Sequence, residues 1–227
     1  MAYKRGSSAN IIVGAAALFT YKAGPIGQGN NGAITDAESE NDLPELVEDI
    51  TYRDTLEADN NYDNVGYTMN GLEIVFQPDF GEVQVDQVLD VAKLYKQGMQ
   101  VNLNTAFAES TMENLLLAIA GKNDDITEAD VSSGLFAGNK IMNMSAGDIG
   151  ECPVERGLVA VGPGTGDCAA GSAIERIYVA YRALSIESVT VSAKRDEPTM
   201  FEVSFRLLPN DDASYGKIVD RTLSLAS

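Results

Sequence analysis

The sequence predicts a mainly β fold, an antiparallel β-sandwich or barrel with one flanking α-helix at about 110–121. Three observations predict it. Several segments alternate apolar and polar residues with the period of two that marks a half-buried strand. One segment, AESTMENLLLAIAG (Ala108–Gly121), carries helical spacing instead. No apolar run approaches the roughly 20 residues of a membrane-spanning helix, while 44% apolar content suits a packed domain. The 227 residues read as one domain, 1–227, with an N-terminal arm at 1–9 and an extended acidic loop at about 36–63.

The opening stretch superficially resembles a signal peptide, with Lys4 and Arg5 followed by the apolar run Ile11 to Phe19. The spacer SSAN is polar, however, and Thr20-Tyr21-Lys22-Ala23 is a poor cleavage site. The run is read as the first strand. Asp36 to Asp63 is the most distinct segment, with eleven acids against one base, Arg53, a net of −10 out of a chain total of −18. A charge run is usually a solvated loop. In this one Leu43, Leu46, Val47, Ile50, Tyr52 and Leu56 are interleaved, so it is expected to find its apolar partner on another subunit.

The strands follow. In GLEIVFQ, Leu72, Ile74 and Phe76 alternate with Glu73, Val75 and Gln77. In MQVNLNTAF, Val101, Leu103, Thr105 and Phe107 oppose Gln100, Asn102 and Asn104. IERIYVAYRAL sets Ile177, Val179 and Tyr181 against Arg176, Tyr178 and Arg182. SIESVTVSAK sets Val189 and Val191 against Ser188, Thr190 and Ser192, and MFEVSFRLL sets Phe201, Val203, Phe205 and Leu207 against Glu202, Ser204 and Arg206. Such strands suit a sandwich or barrel with a polar outer wall.

In the helix, Ser110 with Glu113 reads as a capping box and Gly121 as the C′ residue. Met112, Leu115, Leu116 and Ile119 form one stripe at i, i+3, i+4, i+7, and Leu117 and Ala120 extend apolarity around the helix. A helix covered within its own chain is the plain reading. The favoured one wedges it between its own sheet and a neighbouring copy.

Composition removes much chemistry. With no histidine, Ser-His-Asp and Cys-His catalysis are out. Two cysteines, Cys152 and Cys168, are too few for zinc; two free thiols are a simpler reading than a disulfide. GPGTGD (Gly162–Asp167) lacks the Gly-Lys-Ser/Thr of a phosphate loop and reads as a turn. Asp59-Asn60-Asn61-Tyr62-Asp63 fails as a calcium loop, with Asn64 at position six and Asn70 at position twelve. Ser214 and Lys217 match S-x-x-K without its partner motifs. No catalytic, cofactor or metal residues are assigned. Sixteen basic against 34 acidic residues argue against binding of nucleic acid, whose phosphates need cations.

NVGYTMNGLEIVFQPDFGEVQVDQVLDVAKLYKQGMQVNLNTAFAESTMENLLLAIAG (Asn64–Gly121) resembles the central region of tailed-bacteriophage major tail tube proteins: a G-x-T-x-x-G strand, a D-Q-x-x-D bend, then a strand-to-helix unit with A-E-x-T-x-x-N-L. MFEVSFRLLPNDDASYGKIVDR (Met200–Arg221) resembles the family's C-terminal strand, Pro turn and closing strand, and NIIVGAAALFTY its opening strand. Lys122 to Ala173 lies outside the resemblance.

The resemblance implies a structural virion protein, not an enzyme. Six copies form a ring whose strands line a channel, rings stack into the tail tube, and DNA is ejected through it without specific binding. A long loop reaches adjacent subunits; Asp36–Asp63 is the candidate. Interface candidates are Met112, Leu115, Leu116, Leu117 and Ile119 on the helix, with Leu43, Leu46, Val47, Ile50, Tyr52 and Leu56 on the loop. Implied partners are further copies of the chain and tape measure, tail terminator or baseplate proteins, with no membrane insertion. The implied location is the virion tail, after synthesis in the host cytoplasm. The alternatives are the inner tube of a contractile secretion or injection machine and, more distantly, an acidic hydrolase with a carboxylate pair.

Overall fold

Strand pairing, burial and contacts come from a computed structural model, which describes residues 12, 14–22, 24, 43–84, 86, 90–122, 125–128, 139–144, 152–164, 172–192, 195 and 198–224. The N-terminal arm 1–9, residues 36–42 and Cys168 lie outside the described residues. The chain is mainly β, as its alternation predicts. One large antiparallel sheet holds β1 (Ala17–Tyr21), β2 (Tyr62–Asn64), β3 (Thr68–Val83), β4 (Lys93–Phe107), β7 (Arg156–Pro163), β8 (Ser172–Ser185), β9 (Phe201–Leu207) and β10 (Gly216–Ser224). A small hairpin, β5 (Ile126–Glu128) with β6 (Lys140–Met142), stands apart. Two helices are described, α1 (Tyr52–Ala58) and α2 (Met112–Ala118).

The strand order β2-β1-β7-β8-β9-β4-β3 forces the sheet to curl. Laid flat, six spacings of about 4.8 Å would part β2 from β3 by about 29 Å. Yet only Val65, Gly66 and Tyr67 separate Asn64 from Thr68, a reach of about 14 Å at most. The two ends of the strand order must therefore approach each other. The link is fixed by the Val65 amide on the Leu18 carbonyl, 3.0 Å, and by Glu109, which accepts from the Tyr67 amide, 2.9 Å. Gly66 sits at φ 85 with the Glu109 carboxylate where a Cβ would be, so only glycine fits.

Inside the curl lies the first core. Val101, Leu103 and Phe107 of β4 and Phe201, Val203 and Phe205 of β9 face Leu18, Leu158, Ala160 and Ala180. Each fully buried Phe is worth about 2–3 kcal/mol of transfer free energy. A second core lies on the other side of β1, β7 and β8, where Phe19, Val159, Val161, Ile177 and Val179 meet Tyr52 and Leu56 of α1. Strand β7 is thus covered on both faces. That is why GLVAVG reads as a continuous apolar run, not an alternating one.

Three expectations need correction. The acidic loop is not one loop: Tyr52–Ala58 is helix α1, capped by Thr51, whose hydroxyl accepts from the Asp54 amide at 3.1 Å, and Tyr62–Asp63 belongs to β2. Helix α2 is shorter than predicted and capped by Thr111, not Ser110: the Thr111 hydroxyl accepts from Asn114 N at 3.2 Å. Its C-terminus closes through Gly121 N to Leu116 O, 2.9 Å, and Ala120 N to Leu117 O, 3.3 Å. This is the Schellman pattern, with the left-handed C′ position taken by Ala120 (φ 54) and Gly121 one place beyond. Lastly, SIESVTVSAK forms no strand over its described residues 186–192. Strand β8 ends at Ser185 beside Phe205 of β9; the Ile186 amide still donates to Ser204 O at 3.1 Å, and the residues beyond it leave the edge of β9 unpaired. Val189 still packs on the first core, while Ser188, Thr190 and Ser192 are exposed and outside the sheet.

The sheet forks at β8. Along one edge β8 pairs first with β10, over Ser172–Ala180, then with β9, over Ala183–Ser185. Gly216 makes the fork possible, since a Cβ there would sit 1.9 Å from the Val179 carbonyl oxygen. Between the branches the Tyr215 hydroxyl donates to the Met99 carbonyl.

Candidate functional site

Three surfaces stand out. The first is the outer part of the β3–β4 hairpin. Strand β9 covers β4 only from Val101 to Phe107, so Phe76–Val83 and Lys93–Gln100 run on as a two-stranded arm. Register places Phe76 opposite Val101 and Pro78 opposite Met99, so this face continues the first core. Past the bulge at Asp79/Phe80, Phe80 pairs with Lys96 and Glu82 with Leu94. Phe80 is 54% and Leu94 59% exposed, and Phe76 is exposed to the same degree as Phe80. At the base of the arm a cavity of about 310 Å³ opens in the fork, lined by Ile74, Phe76, Met99, Tyr178 and Ile218. Alternation in the sequence orients Leu72 and Ile74 inward, and both are half-buried against the core.

The second surface is α2. Its predicted stripe is divided. Leu116 and Leu117 are 5% and 6% exposed, Leu115 is half-buried against the first core, and Met112 and Ile119 stay 41% and 46% exposed. The helix is seated by Asn114, whose amide donates to Val65 O and Glu109 O at 2.9 Å each. Ser185 donates to Ala118 O, and Arg156 to Gly121 O at 3.1 Å. Glu113 does not complete a capping box. Its carboxylate accepts from Lys140 and is held below the usual glutamate range by that bond.

The third surface is the strap before α1, Leu43–Thr51. Tyr52 and Leu56 are spent in the second core, and Leu43 packs against it. Leu46, Val47 and Ile50 remain exposed. A buried ion pair fastens the strap. Arg221 of β10 donates to Glu175 of β8 at 3.0 Å, with both side chains 11% exposed. Glu175 accepts from the Tyr52 amide at 3.1 and 3.3 Å. Arg221 also donates to the carbonyls of Val47, 3.1 Å, and Ile50, and lies 5.9 Å from the Tyr52 ring centroid. Charge spacing in the sequence gives no sign of this clamp, because Glu175 and Arg221 are 46 residues apart.

The outer face of β3, β4 and β9 carries amides and hydroxyls beside two exposed acids, Glu73 and Glu202, and an exposed base, Arg206 opposite Asn102. Gln100 donates to Asn102 at 3.2 Å, Asn104 to Glu73 at 3.4 Å, and Ser204 to Asn104 at 2.8 Å. Cys152 is exposed and unbonded. Among the described residues no cluster of three or more Cys, Asp and Glu side chains is placed to hold a metal ion, and no helix is long and apolar enough to cross a membrane. A comparison with protein-family models finds no match, and a search of curated proteins finds no relative.

Proposed function

We propose that the chain is a structural subunit of a tail-tube type: identical copies close into rings, the rings stack, and DNA passes through the bore. The observation that carries this reading is the face of the β3–β4 arm on which Phe76, Phe80 and Leu94, with Lys96 and Glu82 beside them, stay exposed past the end of β9, among the described residues. A two-stranded hairpin is marginal by itself in water, and contiguous apolar surface of this kind marks a protein interface. Met112 and Ile119 on α2 add a second uncovered patch. The resemblance of Asn64–Gly121 and Met200–Arg221 to tail tube proteins points the same way.

The outer face of β3, β4 and β9 suits the wall of a bore. Its amide and hydroxyl groups bond to one another; Arg206 beside them is outnumbered by Glu73 and Glu202, and a net charge of −18 leaves few of the cations that dominate non-specific DNA affinity. Permanent assemblies of this kind bury on the order of 2,000 Å² or more per interface. Negative-stain imaging of the concentrated protein tests the reading. Hollow tubes or six-membered rings are expected; monodisperse monomers at high concentration would overturn it.

A further inference from the structure

Past Leu207, the last residue of β9, the inner faces of two strand pairs part. Phe76 of β3 and Met99 of β4 line one side of the gap, Tyr178 of β8 and Ile218 of β10 the other, with Val101 and Leu207 of the first core beneath. Register fixes the two sides: Phe76 stands opposite Val101, and Ile218 opposite Tyr178. The space between is the cavity of about 310 Å³, the volume of about ten waters at ~30 Å³ each. Met99, Tyr178 and Tyr215 are half-buried against the core, and the Tyr215 hydroxyl already donates to Met99 O.

A cation stands at the opening. Lys96 Nζ lies 3.9 Å from the Met99 sulfur, on the face of the arm that carries Phe80. Among the described residues Lys96 forms no ion pair. Glu82 is on the same face but farther out, opposite Leu94. On the other side of the gap the charged residues next to Tyr178 and Ile218 are Arg176 and Asp220. They bond each other and so bring no net charge to that rim.

We propose that this cavity binds a small molecule with a flat aromatic body and one anionic group, the body lying between Phe76, Met99, Tyr178 and Ile218 and the anion meeting Lys96. Ten waters cannot each find two to four polar partners on so apolar a lining, so a body that displaces them gains free energy. Two aromatic rings and a thioether favour an aromatic guest over an aliphatic one, through offset or edge-on ring contacts and sulfur–ring contacts. Volume and lining are those of ordinary small-molecule sites, which prefer the mouths of curled sheets. Lys96 is exposed, so water screens its charge and its share of the affinity is modest; the body carries the rest. The inference does not rest on the self-assembly reading, since the cavity lies within one chain.

The test compares two probes with one aromatic body, anilinonaphthalene sulfonate and the neutral N-phenylnaphthylamine. Both are titrated by fluorescence into the full chain, at a dilution where sedimentation shows monomers and at ~0.15 M salt, which screens the chain's overall charge beyond about 8 Å. Each should bind saturably, one per chain, the sulfonate about 2- to 5-fold more tightly. Phe76→Asp/Ile218→Asp, at two exposed positions of the mouth, should weaken both probes at least about 10-fold. Ile218→Trp, which fills the mouth without adding charge, should do the same, and circular dichroism checks that each variant folds. Phe80→Ser/Leu94→Ser, farther out on the arm, should leave both affinities unchanged. Lys96→Met should remove the advantage of the sulfonate and spare the naphthylamine. Decanol, an aliphatic of similar bulk, should displace either probe poorly. Binding that never saturates, or that exceeds one probe per chain, overturns the proposal. So does equal loss from the mouth and outer-arm variants, a sulfonate advantage that survives Lys96→Met, or decanol that displaces the probes as well as they displace each other.

Discussion

Loss of the Arg221 guanidinium should destabilise the fold far more than loss of an ordinary surface charge. Arg221→Met removes the partner of Glu175, which lies only 11% exposed, and leaves a carboxylate in a poorly solvated position. Breaking a buried pair from one side costs about 3–5 kcal/mol. Lost bonds to the Val47 and Ile50 carbonyls add roughly 1 kcal/mol each, less what water recovers at the exposed strap. A total of about 4 kcal/mol is a large part of the 5–15 kcal/mol typical of a domain. Glu175→Gln should cost less, about 2 kcal/mol, since one carbonyl oxygen still accepts from the Tyr52 amide. The double variant has no orphaned charge and should be more stable than the sum of the single losses allows, by about 2 kcal/mol. Urea unfolding of the four proteins measures all three quantities, and hydrogen exchange at the Tyr52 amide reports the clamp locally. A loss below 1 kcal/mol for Arg221→Met, or two strictly additive single losses, would refute the view that this pair is what fastens the strap.

Burial of the Tyr52 phenol, whose hydroxyl donates to Pro44 O, pushes its pKa up to about 12, with Arg221 pulling the other way. The folded state then holds a proton that the unfolded chain releases near pH 10, so the stabilisation is complete below pH 10 and is lost as pH rises towards 12. The loss should reach up to about 2 kcal/mol; it should be absent in Tyr52→Phe, and equal alkaline unfolding curves for the two proteins would contradict it. Ala120→Gly should raise stability by about 0.5–1 kcal/mol, since a left-handed alanine costs about 1–2 kcal/mol and the extra freedom of glycine in the unfolded chain takes back part of that. A lower melting temperature for this variant would count against the helix ending described. Leu116→Asp and Ile119→Asp should part company: the first buries an unpaired charge and unfolds the chain, while the second, on an exposed side chain, leaves a folded monomer that no longer assembles. Far-ultraviolet dichroism and light scattering distinguish the two, and equal unfolding by both would remove α2 from the assembly surface.

The strands were legible where one face is wet. Val101, Leu103, Thr105 and Phe107 alternate in the sequence because β4 has an inside and an outside, and all four are buried. Strand β7 has no wet face, so its apolar run GLVAVG carries no period to read. Helix α1 escaped notice because only Tyr52 and Leu56 face the core, too few for a stripe, and eleven acids in the segment read as solvated loop. The signal available was the cap, Thr51 with Asp54 three residues on. For α2 the spacing put Leu116 and Ile119 on one stripe, but a seven-residue helix set into a corner buries one and exposes the other. Val189 and Val191 show that a short alternating run need not become a strand: Val189 packs on the first core while Val191 is exposed, and neither joins the sheet. The strap clamp was out of reach, since Val47, Tyr52, Glu175 and Arg221 meet only through the fork in the sheet.

The most direct test is a density map of the assembled particle fine enough to place side chains. Identical copies are predicted to cover one another's arms, with the Asn102 and Asn104 face of the sheet, where Glu73 and Glu202 outnumber Arg206, turned to an open bore that holds more acids than bases. A particle in which Phe80 and Leu94 stay bare to solvent, or whose bore is lined with cations, would contradict the account.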